Sequence, residues 1–383
     1  MHLSFTNFGT KAKETLPMSK IKDITDFLET IAPRSYQESY DNSGLLTGSM
    51  EWDVTGILVT LDCVEEVVAE AIALNVNLIV AHHPIIFKGL KKLTGQNYIE
   101  RTIIKAIKHD IAIYSIHTNL DNVYQGVNKK IADKLGLKNV KILAPKKDTL
   151  SKLVTFVPTQ YKEQVVHALH EAGGGNIGNY KNCSFTVAGK GTFLPTANAN
   201  PNVGTINQLE KVEEERIEVI FPHHIESKIM AALRKGHPYE EVAYYLSKLE
   251  NENQEVGSGM IGELATSEEP IGFLTRLKHV MNAGCVRHTT PLTDKKINKV
   301  ALCGGSGSFL LSHAISSGAD VYISADFKYH EFFDAEGKII IADIGHYESE
   351  QFTKELLIEV LTEKFSTFAI NFSKTVTNPI SYF

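Results

Sequence analysis

Long apolar runs are missing from this chain of 383 residues. No stretch approaches the ~20 apolar residues of a membrane-crossing helix, so no membrane is expected as a partner. Cysteine is sparse: Cys63, Cys183, Cys285 and Cys303 are scattered, and no two form a CxxC pair. That pattern argues against a thiolate metal site and for a reducing, cytoplasmic compartment. An excess of positive charge is lacking too, with 39 Lys and Arg against 45 Asp and Glu. The formal net charge is -6 and no Lys/Arg run builds a basic field, which argues against nucleic acid as a partner. Residues 1–17 lack the apolar core of a secretory signal and read as an N-terminal extension. Met18 stands directly before Ser19-Lys20-Ile21-Lys22-Asp23-Ile24, where amphipathic helical periodicity begins. Otherwise the composition is that of a globular protein, with 43% hydrophobic and 22% charged residues. The length predicts more than one domain.

What the chain does have is histidine at strand ends. His82-His83 follow the run Leu78-Ile79-Val80-Ala81 and precede Pro84. Open α/β sheets hold their sites beyond the carboxyl ends of their strands. Consecutive strand residues face opposite ways, so two imidazoles converge only where the strand gives way to a turn. A second run, Ile111 to Ile116, ends in His117-Thr118-Asn119-Leu120-Asp121, and a third, Lys338 to Asp343, ends in Ile344-Gly345-His346-Tyr347-Glu348-Ser349-Glu350. A helix opening after Gly345 would put His346 and Glu350, four apart, on one face. Imidazole and carboxylate without thiolate suit zinc, manganese, iron(II) or magnesium. So many ligands exceed one simple open site and fit a dinuclear one, where two divalent ions activate a bridging water.

The chain also reads as two related α/β halves. Residues from Gly56 to His83 run strand, helix, strand, and those from Lys299 to Asp326 repeat the plan; each copy continues through a helix into another apolar strand. The polar groups at the second copy's strand ends are Asp326/His330 and His346/Glu350. Strands alternating with helices predict a mainly parallel, helix-covered sheet, and two facing halves would bring four strand ends into one cleft. Together 18–148 and 257–383 are expected to form one layered metal-binding domain. Between them, 149–256 suggests a β-α-β-β-α-β ferredoxin-like insert, although two strands around Cys183 to Phe193 leave one strand in excess. Its Pro195 to Gly204 stretch reads as a surface excursion, and Leu249 to Glu255 as a linker.

These motifs, with Asp41-Asn42-Ser43-Gly44-Leu45, resemble the GTP cyclohydrolase 1 type 2 homologues, the Nif-three-like family of dinuclear metal proteins. The resemblance covers both outer halves. The stretch His237-Pro238-Tyr239-Glu240-Glu241-Val242-Ala243-Tyr244 is similar to the insert of the longer bacterial members, related in shape to small trimeric PII and CutA proteins. By resemblance His82, His83, Asp121, His346 and Glu350 correspond to ligands of two metal ions, and His117 to a further cleft histidine. The family implies a homohexameric ring with its sites facing an internal cavity, which admits small molecules. It implies hydrolytic opening of the guanine imidazole ring of GTP, with formate lost.

The functional expectation is a divalent-metal-dependent hydrolase using Zn, Mn or Fe, with GTP or another small nucleotide or metabolite as substrate. His117 would shuttle a proton as the catalytic residue. The alternative is a non-catalytic metal-binding or metal-handling protein whose insert regulates or assembles it. Asp326 and His330 are either a substrate-contacting pair or a solvated helix face. Gly304-Gly305-Ser306-Gly307-Ser308 is either a phosphate cradle or a tight turn with a serine cap. His223-His224 and His237 read as capping, surface or structural histidines.

Overall fold

A computed structural model describes residues 19–291 and 295–383; the expected extension at 1–17 lies outside the described residues. The fold is mixed α/β with several sheets. The chain forms two compact units, the first holding Ser19 to Thr30, 42–116 and 357–377, the second 31–41, 117–356 and 378–383.

The first unit is built on a five-stranded sheet in the order Gly44–Thr47, Ala112–Ser115, Leu78–Ala81, Gly56–Thr60, Ala369–Phe372. All pairs are parallel except the antiparallel edge strand Gly44–Thr47. Every residue of Gly56–Thr60, Leu78–Ala81 and Ala112–Ser115 is buried. These runs are therefore predominantly apolar along their length rather than alternating, as burial on both faces requires. Helices Glu65–Ala73 and Tyr98–Lys108 pack Val67, Val68, Ala71, Ile103 and Ala106 onto Leu58, Ile79 and Ile113. Asn97 caps the second of them, its Oδ1 accepting from Glu100 N at 2.9 Å, and Lys105 and Lys108 sit at its carbonyl end. The register Thr60↔Ala81↔Ser115 brings three strands to an end at one level. His82 and His83 follow Ala81 directly, and Asp62 stands two residues beyond Thr60.

The second unit contains two sheets. Six strands run in the order Arg287–His288, Ile340–Asp343, Val321–Ala325, Ile297–Ser306, Asn253–Glu268, Lys138–Lys146. The three strands from Ile297, Val321 and Ile340 are mutually parallel, with Val300↔Val321↔Ile340 in register, and the others are antiparallel. Helix Leu311–Ser316, preceded by a 3-10 turn at Ser308–Leu310, covers this sheet through Leu310, Leu311 and Ala314. The other sheet has four antiparallel strands in the order Phe185–Phe193, Glu210–Pro222, Leu150–Pro158, Tyr244–Leu249. Helices Lys162–Glu171 and Glu226–Gly236 lie on one face, their Val165, Leu169, Ile229 and Leu233 packed on Leu153, Val157, Ile217, Val219 and Phe221.

Three local expectations change. A single strand, Phe185–Phe193, replaces the two expected around Cys183 to Phe193, because pairing with Glu210–Pro222 is unbroken from Phe185↔Glu218 to Phe193↔Glu210. The linker is shorter than Leu249 to Glu255. Asn253 already pairs with Lys146, and its Nδ2 donates to Thr149 Oγ1 at 3.1 Å. The strand from Ile297 continues through Gly304, Gly305 and Ser306, and no serine cap forms at the 3-10 turn that follows.

Candidate metal centre

Four histidines, each at the carboxyl end of a strand or just beyond it, share one arrangement. In the first unit His82 is fully buried. Its Nδ1 donates to the Ile116 carbonyl at 2.8 Å, and Ser115 Oγ donates to the His82 carbonyl at 2.8 Å. His83 Nδ1 donates to Asp62 Oδ1 at 2.7 Å, while Asp62 Oδ2 accepts from Thr377 Oγ1 at 2.6 Å. In the second unit His117 Nδ1 donates to Asp41 Oδ1 at 2.7 Å. Asp41 is itself fixed by Thr118, through its backbone N at 3.0 Å and its hydroxyl. His346 Nδ1 donates to Asp326 Oδ2 at 2.7 Å. An imidazole whose Nδ1 donates to oxygen carries its lone pair, when neutral, on Nε2. That outer carboxylate or carbonyl is the partner metal-ligating histidines characteristically have.

The helix expected after Gly345 forms as His346–Glu350. Its turn places His346 Nε2 3.1 Å from Glu350 Oε2, with Glu350 only 3% exposed. The Glu350 carboxylate pushes the His346 pKa up to about 11, against the effect of burial and with the help of Asp326. The hydrogen bond from His346 in turn holds the Asp326 carboxyl below its ordinary range. Without metal this imidazole keeps a proton between two carboxylates, and a cation that binds there must displace it.

Within the second unit His117, Asp121, His346 and Glu350 line one pocket of about 200 Å³, with Glu38, Tyr40, Ser258, Cys303 and Gly304 among its other walls. Asn128 braces it, its Oδ1 accepting from Gly304 N and its Nδ2 donating to the Asp121 carbonyl, both at 2.9 Å. The donors are imidazole nitrogen and carboxylate oxygen. Burial, then the Asp121 and Glu350 carboxylates, pushes the Cys303 thiol well up, so sulfur stays protonated in the metal-free pocket. This donor set fits a borderline or hard divalent ion.

Asp326 and His330 stand in different surroundings. Asp326 holds a left-handed backbone with φ 60° and serves His346, whereas His330 sits exposed on the turn Tyr329–Ala335 beside Tyr329 and Phe333. Two residues carry parts the sequence reading did not assign. Asp62, two residues beyond the strand Gly56–Thr60, orients His83; the sequence shows that it follows a strand end, but not which imidazole it meets. Gly305 has φ +63°, and a Cβ there would stand 2.4 Å from Glu350 Oε1. The bare backbone is what lets the carboxylate in. His223 and His224 hydrogen-bond Ser151 and Tyr36, and His237 donates to the Phe156 carbonyl, so all three are structural.

Asp326→Asn tests the orienting role. Asparagine tolerates the left-handed backbone but lacks the charge that fixes the His346 tautomer. Metal affinity, read by competition with a chromogenic chelator, should fall roughly 10–100-fold. An unchanged affinity would reduce Asp326 to a surface partner.

The family model described as Duf34/NIF3 (NGG1p interacting factor 3) matches residues 19–379. A Halalkalibacterium halodurans protein named GTP cyclohydrolase 1 type 2 homolog is 40% identical over 365 residues, covering 94% of this chain and 98% of that protein. Its namesake from Bacillus subtilis is 38% identical over 367 residues, covering 94% and 98%. The crystal structure of a Bacillus cereus protein related to NIF3 superposes with a TM-score of 0.85 at 37% identity, covering 96% of this chain and 100% of that one.

Proposed function

The chain belongs to the Duf34/NIF3 family, and on that premise we propose that it is a divalent-metal-dependent hydrolase of a small nucleotide or metabolite. The observation that carries the proposal is the pocket in which Asp121, His346 and Glu350 stand with His117, both imidazoles held at Nδ1 by a carboxylate. Asp121, His346 and Glu350 are proposed as ligands of divalent metal. His82 and His83 are proposed as metal ligands as well, on the family resemblance and on the same Nδ1 anchoring. Two ions, of Zn, Mn or Fe, are the proposed complement. A bound divalent ion supplies Lewis acidity and lowers the pKa of water.

The remaining work falls to side chains. His117, with Nδ1 committed to Asp41, would accept or return a proton at Nε2 and is the proposed catalytic residue. Asp41 and Asp326 are positioning residues. At about 200 Å³ the pocket is smaller than the ~300–1,000 Å³ of sites that enclose a whole small ligand. It therefore takes the reacting part of a substrate and leaves the rest outside. GTP, opened at its imidazole ring, is the candidate that the relatives' name supplies.

The test is a mass-spectrometric screen of nucleotides and metabolites, GTP included, with protein loaded separately with Zn, Mn and Fe(II). The expected result is metal-dependent addition of water to one class of small substrate. Full metal occupancy without turnover of any compound would turn the reading to a non-catalytic metal-binding protein.

Residues 149–256 are proposed as an independent ferredoxin-like insert in a metal-binding domain of duplicated halves, 18–148 and 257–383. The strand and helix order of the four-stranded sheet supports the insert, and the two parallel strand triplets support the duplication. Lys146 pairs with Asn253, so the chain leaves and returns at neighbouring points. Deleting 149–256 should leave metal per chain unchanged by plasma mass spectrometry; a folded deletion protein without metal would refute the separation. The proposed assembly is a homohexameric ring in the cytoplasm, with closed symmetry as is usual for soluble homo-oligomers. Light scattering should give about six times the chain mass; a monomer at micromolar concentration would remove the ring.

A further inference from the structure

The four-stranded sheet has helices on one face only. Successive strand residues alternate between faces, so Phe156, Glu214, Arg216 and Tyr245 line the other. There the excursion Pro195 to Val203 and the segment Tyr239 to Ala243 enclose a cavity of about 580 Å³. This is the size of a small-molecule site. Asn200 N donates to Glu240 Oε1, and Asn207 N to the Pro195 carbonyl, both at 2.7 Å, which ties the excursion down.

The walls include two edge-to-face aromatic pairs, Phe156 with Tyr245 and Phe193 with Tyr239, each with centroids 5.7 Å apart. The charge of the lining is one-sided. Lys190 is taken by Glu213 at 2.9 Å and Arg216 by Glu218 at 2.7 Å, and neither acid lines the cavity. Glu214, Glu240 and Glu241 line it, and none of the three forms a salt bridge among the described residues. Glu214 is 8% exposed; Tyr239 OH donates to its Oε1 at 3.1 Å, and no hydrogen bond from the described residues reaches its Oε2. A Cβ on Gly191 would stand 2.0 Å from that Oε2, so the carboxylate fills the space a side chain would take. A largely buried carboxylate that lines a cavity and keeps one oxygen open to a ligand favours a charged donor. Among the described residues, no three His, Cys, Asp or Glu ligand atoms here lie close enough together to share a metal ion.

We propose that this cavity binds a small organic cation with an aromatic or apolar body. The protonated amine sits against Glu214, and the body lies on Phe156, Phe193 and Tyr245, where ring faces attract cations and cover apolar surface. The site is independent of the metal pocket.

The probes are phenethylamine, 2-phenylethanol and 3-phenylpropionate, added to the full-length protein at neutral pH. They share one body and differ in charge. Saturation-transfer NMR and calorimetry should show the amine bound, the alcohol at least about 10-fold weaker and the acid not bound. Glu214→Gln keeps the acceptor for Tyr239 and removes the charge. It should weaken the amine at least about 10-fold and leave the alcohol unchanged. Gly191→Ala, which displaces the carboxylate without removing it, should weaken the amine in the same way. Equal binding of the three probes, no binding of the amine, or unchanged amine affinity in either folded variant overturns the proposal. So does a molecular mass that shifts in Glu214→Gln while no amine binds, which would give this face to a second copy of the chain.

Discussion

Glu350→Gln should strip the protein of metal while leaving it folded. The substitution keeps the side chain's volume and one carbonyl oxygen but removes the negative charge from a residue that is 3% exposed. It also removes the stronger acceptor facing His346 Nε2 at 3.1 Å. Loss of an outer partner costs metal sites about 10–100-fold, and loss of a ligand should cost at least the upper end of that range. Metal per chain by plasma mass spectrometry after gel filtration should fall below about a tenth of wild type, and any metal-dependent turnover should fall with it. Wild-type metal content in this variant would remove Glu350 from the ligand set.

The same variant has a signature in the metal-free protein. The folded pKa of His346, about 11, exceeds the unfolded value near ~6.5. A group raised on folding stabilises the protein fully below its unfolded pKa, and that contribution is lost as pH rises through the folded one. Metal-free Glu350→Gln should therefore fall furthest behind metal-free wild type in denaturant midpoint between about pH 5 and 6.5. The gap should close toward pH 11. A gap that widened with pH would contradict the ion pair.

Gly305→Ala should lose both stability and metal. Its φ of +63° costs an L-residue roughly 1–2 kcal/mol. Its Cβ would stand 2.4 Å from Glu350 Oε1 and 3.3 Å from His346 Cε1. The backbone cannot back away, because Gly305 N donates to Ser349 Oγ at 2.9 Å and its carbonyl accepts from Ser324 Oγ at 3.0 Å. The carboxylate must move instead. Gly318→Ala is the control: φ is +72° and nothing lies within 4 Å of the added carbon. Both variants should drop in denaturant midpoint by similar strain, but only Gly305→Ala should lose metal affinity. Equal metal affinity in the two would show that Glu350 does not depend on the glycine.

The sequence by itself determined the strands, the ends at which histidines gather, and the helical spacing of His346 and Glu350. Those signals are local. A strand buried on both faces must be a continuous apolar run, and a helix turn fixes what is four residues away. The family was legible for the same reason, since its motifs sit on those strand ends. Tertiary structure alone decided which carboxylate holds which imidazole. Asp62 reaches His83 across 21 positions, Asp41 reaches His117 across 76, and Asp326 reaches His346 across 20. No periodicity encodes such pairs, because they depend on strand order and on where neighbouring strands stop. Asp326 and His330 show the converse. Their spacing of four suggested one face, but a left-handed residue at Asp326 takes the chain out of any helix before His330. Gly305 and Gly191 read in sequence as turn and strand glycines. Only the packed fold shows that each gives its room to a carboxylate, Glu350 in one case and Glu214 in the other, since a close approach is set by what arrives from elsewhere in the chain.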